Sequence, residues 1–186
     1  MSATSAPFGL RPVLSPSGIV RPVASTIASG YAANLFQNQP VFIAANGTLE
    51  AAAIGARFIG SFQGVEFTNS EGRRQVSNRW ISGTVATDII AYFTRAADIV
   101  YEIQSSATIA LAAVGSQADY TAITAGSAAV GLSQLMLDVA TLTAVGSAQL
   151  RVIGITPGPD NEFGDNFVIL QVQIAEHQDV ADRIAY

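Results

Sequence analysis

Few residues in this chain are equipped for chemistry. It has one histidine, His177, and no cysteine, so a nucleophile–base pair would have to be built on His177. No nucleophile-elbow motif accompanies Glu176-His177-Gln178-Asp179, and a polar strand end is the plainer reading. Asp160, Glu162 and Asp165 bring three carboxylates close together in sequence. Such oxygen donors suit calcium, yet the regular ligand spacing and closing glutamate of a helix-loop-helix site are missing. They read as solvated loop acids or as partners for a neighbour's arginines, and no divalent metal is expected. Arg73 and Arg74 would attract a phosphate backbone. Against that, the formal net charge is −5 and no basic stripe supports them, so nucleic acid is not an expected partner. Lysine is absent altogether, which removes a phosphate-binding loop as well. The chain reads as non-enzymatic, with no catalytic residue, cofactor or small-molecule substrate.

The element that must position most of these groups is residues 57–80, RFIGSFQGVEFTNSEGRRQVSNRW. It reads as one β-hairpin, with Phe58, Gly60, Phe62, Gly64 and Glu66 alternating against Ile59, Ser61, Gln63, Val65 and Phe67. Residues 68–72 supply the turn, and the return arm carries Arg73, Arg74 and Arg79 and ends on the only tryptophan, Trp80. Glycines inside the first arm point to a bulge, a bend or a close backbone neighbour.

Further strands are expected at 40–43, at 88–94, at 99–104, at 148–155 and at 166–174, and Asn46-Gly47 is a strong two-residue hairpin signal. Residues 105–150 are rich in Ala, Ser, Thr and Gly; one short helix is expected there, with loops and short strands otherwise. The expected core comprises Phe42, Phe58, Phe62, Phe67, Tyr92, Ile103, Val152, Phe167, Ile169 and Val172.

Residues 1–30 differ from the rest. They hold no acid, two arginines and four of the seven prolines, and Arg-Pro-Val recurs at 11–13 and 21–23. Proline fixes φ and pushes its predecessor to extended geometry, so this segment is an extended arm. Its apolar groups imply that it folds back on its own domain or lies across a neighbour. Phe8, Leu10, Arg11, Val13, Ile19, Arg21 and Val23 are the candidate partner-binding residues. The acids gather at the other end, six of them from Asp160 to Asp182.

Composition narrows the class. Hydrophobic residues make up 49% and charged residues 12%, about half the usual charged share. That is too apolar for disorder and leaves little charge to solvate a lone surface, so covered surface is expected. Without cysteine there are no disulfides or thiolate metal sites, which leans weakly towards the cytosol. No secretory leader is read at the N-terminus. The most apolar run, 105–114, is too short to cross a bilayer, and no long amphipathic helix suits a membrane surface. The chain reads as mainly β, a compact β-barrel or β-sandwich-like domain over 31–186 with at most one or two short helices, preceded by the arm at 1–30.

The succession NGTLEAAAIGARFIGSFQGVEFTNSEGRRQVSNRW, AQLRVIGITPGPDNEFGDNF and QVQIAEHQ resembles virion structural proteins of tailed bacteriophages, in particular capsid decoration (cement) proteins. The resemblance covers roughly residues 8–177. It implies a β domain on the outer face of a capsid, assembled after synthesis in the host cytoplasm. Its partners would be the major capsid protein and neighbouring copies of itself, reached by the arm. Another virion component, such as a tail or head–tail adaptor protein, and a carbohydrate-binding β-domain are the alternatives.

Overall fold

The computed structural model describes residues 4–122, 126–144 and 146–180. Its strands are short, as a sequence punctuated by Gly, Pro and Asn dictates. β1 (Arg11–Leu14) and β2 (Val23–Ser25) lie in the proline-rich segment, followed by β3 (Leu35–Phe36), β4 (Pro40–Ile43) and β5 (Leu49–Ala51). The central hairpin gives β6 (Gly60–Asn69), β7 (Arg74–Ser77) and β8 (Arg79–Trp80); β9 (Ala86–Phe93) and β10 (Val100–Gln104) come next. The small-residue region contributes β11 (Gln117–Ala118), β12 (Gly126–Ser127) and β13 (Leu132–Ser133), then β14 (Leu150–Ile155) and β15 (Ile169–Ile174). Where a short helix is expected, a single 3-10 turn forms at Leu111–Ala113, with a second at Val139–Thr141.

Two antiparallel sheets carry the fold. The first runs β1-β10-β15-β14-β11 and the second β2-β9-β6-β4-β5, with β7 also paired to β6. Two-stranded ribbons, β3-β8 and β12-β13, complete the strand pairing among the described residues. Neither sheet closes on itself, so the barrel form of the expectation gives way to two open sheets. Each has its own core: Phe58, Tyr101, Tyr120, Leu150 and Val172 in the first, Phe62, Trp80, Phe93 and Leu49 in the second.

The hairpin at 57–80 forms, with two departures. A register shift between Phe62 and Gly64 inserts a bulge, so strict alternation fails. Ile59, Phe62, Val65 and Phe67 then share one core while Phe58 turns into the other. Gly60 marks a close approach: a Cβ there would lie 1.7 Å from the Thr94 carbonyl oxygen. The return arm also breaks at Asn78, and Trp80 pairs with Leu35 of β3 instead of continuing along β6. The Asn46-Gly47 turn joins β4 to β5 as expected, with Gly47 at φ 82°.

Four of the expected core residues are only half-buried. Phe42 packs at the margin of the first core. Tyr92 keeps its hydroxyl at the surface, where it donates to Glu66 at 2.5 Å. Phe167 has φ 56°, which ends the strand before it; β15 begins only at Ile169, whose side chain falls on the outer face opposite buried Leu170. A continuous apolar run cannot show where a backbone turns.

The N-terminal segment belongs to the sheets. Arg11 pairs with Glu102 and Leu14 with Val100, then Val23 with Phe93 and Ser25 with Ala91. Residues 11–14 and 23–25 therefore run antiparallel to residues 100–102 of β10 and 91–93 of β9 and give each sheet an edge strand. Leu10, fully buried, sits in the first core. The accessible surface of 8467 Å² matches the roughly 8500 Å² of a compact chain of this mass. An arm held out in solvent would exceed it.

Candidate functional site

The arm zips along both sheets except in its middle. Residues 15–22 lift away from residues 94–99, and Ser15 and Gly18 close a tight turn, with the Gly18 N–H donating to the Ser15 carbonyl at 2.9 Å. Beneath that loop lies a hollow of about 460 Å³, lined by Ser15, Ser17, Ile19, Arg21, Ala96 and Ile99 among others. Ser15 shares a 2.7 Å hydrogen bond with Ser17 and donates to Asp98 at 3.4 Å.

Around this hollow the aliphatic side chains point outward. Ile19 is 75% exposed, Leu14 54%, Val13 39% and Val23 37%. A strand should alternate, and Val13 and Leu14 do not, because β1 shifts register between Pro12 and Leu14 and both side chains leave the sheet. That bulge has no signature in the sequence, so Leu14 is absent from the expected partner-binding set. Leu10 drops out of it, being core. Phe8 lies under the Arg11 guanidinium, 4.5 Å from its carbon to the ring centre, and Arg11 pairs with the nearly buried Glu102. Only Arg21 of the two arm cations is exposed with no ion pair among the described residues.

The groups that suggested chemistry are committed elsewhere. His177 is buried. Its Nδ1 accepts the Asp179 N–H at 3.1 Å and its Nε2 meets the Arg95 carbonyl at 2.9 Å, so Nε2 carries the proton. Arg95 pairs with Asp179 at 2.8 Å. The segment around His177 crosses between the sheets, since Phe58 N–H donates to Glu176 and Gln178 N–H to Phe58. It is a polar strand end serving as a cross-link.

In the loop at 156–168 the organising residue is Asn161. Its side chain donates to the carbonyls of Thr156 (2.8 Å) and Ile169 (2.9 Å) and accepts the Ile169 N–H (2.9 Å). Asp160 and Glu162 are exposed, and Asp165 accepts the Glu162 N–H. Among the described residues no group of three or more His, Asp or Glu is placed to hold a metal.

Arg73 lies against Glu71, and Arg74 against Glu66 at 3.0 Å while donating to the Asp88 carbonyl. The Tyr92 hydroxyl, and then Arg74, hold the Glu66 carboxyl below its usual range. Trp80 is buried with its ring edge-on to Phe67.

No helix among the described residues is long and apolar enough to cross a membrane. No family model, curated protein or solved structure matches this chain.

Proposed function

We propose that this chain is a non-enzymatic virion structural protein, held on the outer surface of a capsid and bridging neighbouring subunits, as a bacteriophage decoration protein is. The observation that carries the reading is the row of outward aliphatic side chains on the arm, Val13, Leu14, Ile19 and Val23. Val13, Leu14 and Val23 sit on the edge strands of the two sheets, and Ile19 on the loop that joins them. Lone exposed aliphatics are ordinary, but a set of them on open strand edges marks a place where another chain lies. Many weak apolar contacts suffice for a protein repeated over a lattice, because attachment gains by multivalency. His177, Arg74 and Asn161 are spent on internal bonds, in keeping with a scaffold role. A carbohydrate-binding domain would display an aromatic platform; Trp80, Tyr101 and Tyr120 are instead buried in the cores.

The test adds wild-type protein and an Ile19→Ser/Leu14→Ser variant to undecorated heads and measures occupancy after washing. Retention of the wild type, with several-fold lower occupancy for a variant of unchanged melting temperature, is expected. Equal occupancy, or a wild type that binds tails and not heads, overturns the proposal.

A further inference from the structure

The hollow under the arm and the loop at 157–162 occupy opposite ends of one strand. Ile99, which lines the hollow, immediately precedes β10. The loop emerges at the far end, where Gln104 pairs with Ile169 and the Thr156 N–H donates to the Ile169 carbonyl. At about 3.3 Å per residue, β10 separates the two by roughly 15 Å. Their chemistry is complementary. The hollow has an apolar side formed by Ile19, Val20 and Ala96 and a polar one formed by Ser15 and Ser17, and Arg21 stands at its rim without an ion pair among the described residues. The loop exposes Pro157, Gly158 and Pro159, followed by the exposed acids Asp160 and Glu162. It is also pre-shaped. The three Asn161 side-chain bonds fix its base, so docking it would cost little ordering entropy.

We infer that the acidic loop of one copy docks in the arm hollow of the next, so that copies of this chain associate head to tail. Because the two surfaces differ, the contact is heterologous and propagates into rings or chains. It rests on reading the arm as a docking segment, and names a second copy of this chain as the occupant of its hollow. The Pro157-Gly158-Pro159 stretch covers Ile19, which is 75% exposed, and Glu162 meets Arg21.

The absence of cysteine makes the contact directly testable on free protein, without capsids. Ser17→Cys and Pro159→Cys variants, each exposed and each with a wild-type melting temperature, are oxidised alone and mixed. The mixture should give several-fold more cross-linked dimer than either alone, and a chain carrying both substitutions should give a ladder of multimers. Arg21→Glu and Glu162→Arg should each weaken association in sedimentation at least tenfold, and the combined reversal should restore it. A mixture that cross-links no better than its components, dimers formed only through Ser17→Cys, or a double reversal without rescue would overturn the inference. Head occupancy is measured separately. Full occupancy by a protein that never self-associates sinks head-to-tail docking alone; self-association without occupancy sinks the capsid reading alone.

Discussion

Gln178 does with one side chain what a strand would do with its backbone. Its amide accepts the Ile43 N–H at 2.9 Å and donates to the Ile43 carbonyl at 2.7 Å. Asn161 grips Ile169 in the same way, and Gln104 accepts the Ala6 N–H while donating to the carbonyls of Thr4 and Phe167. Neutral amides thus satisfy the backbone where strands end, in a chain with only 12% charged residues. Steric constraint is as local. Gly60→Ala forces a methyl into the Thr94 carbonyl, and calorimetry should show a loss of about 3 kcal/mol. Gly154, with nothing within 4 Å of its would-be Cβ, should tolerate alanine within about 0.5 kcal/mol. Tyr101 and Tyr120 are buried, and burial raises both hydroxyl pKa values far above 10. The unfolded chain releases these protons near pH 10 while the folded chain keeps them, so stability is full below about pH 10 and falls as pH rises beyond it. An ultraviolet titration should show these two of the five tyrosines ionising only as the protein unfolds; smooth titration of all five would count against their burial.

Element by element, the sequence was a good guide to where strands lie and a poor one to how they bend. The hairpin at 57–80, the Asn46-Gly47 turn and the strands at 100–104 and 150–155 follow from periodicity and turn chemistry. Bulges at Gln63 and Val13, and the turn at Phe167, do not, because one inserted residue or one positive φ leaves composition unchanged while reversing which side chains face the core. Hence the arm was legible as extended, and its outward Leu14 was not. The arm's place in both sheets predicts that deleting residues 1–25 unfolds the protein, or leaves it molten by near-ultraviolet circular dichroism. Leu10→Ala alone should cost about 2–5 kcal/mol. A truncated chain that melts like the full one would mean that β1 and β2 contribute no stability. The loop at 156–168 yields a second expectation. Asn161 holds it together, so a chelator should leave the melting temperature unchanged. Asn161→Ala should cost about 1–3 kcal/mol for buried backbone groups left unpaired. A chelator-induced drop restored by calcium would reassign Asp160, Glu162 and Asp165 as ligands.

The two cores would be separable if only one connection joined the sheets, but several cross between them. The arm passes from β1 in the first sheet to β2 in the second. β9 passes back to β10 through Thr94, whose N–H donates to the Ser61 carbonyl and whose hydroxyl meets Tyr101 at 2.8 Å. Phe58 and Ile59, adjacent in sequence, are buried in different cores, and His177 ties the end of the first sheet to Arg95. A perturbation in one core therefore strains elements of the other, and the chain should unfold as a single cooperative unit. Phe58→Ala and Phe62→Ala each remove an aromatic ring from one core, at about 3–5 kcal/mol. Hydrogen exchange decides the matter. The slowest amides of β10 and β15 in the first sheet, and of β6 and β9 in the second, should lose the same protection in either variant, because all of them exchange through global opening. If Phe62→Ala accelerated β6 and β9 while β10 and β15 kept wild-type protection, the sheets would be independent folding units. The crossing bonds of Thr94 and His177 would then hold position without coupling the cores.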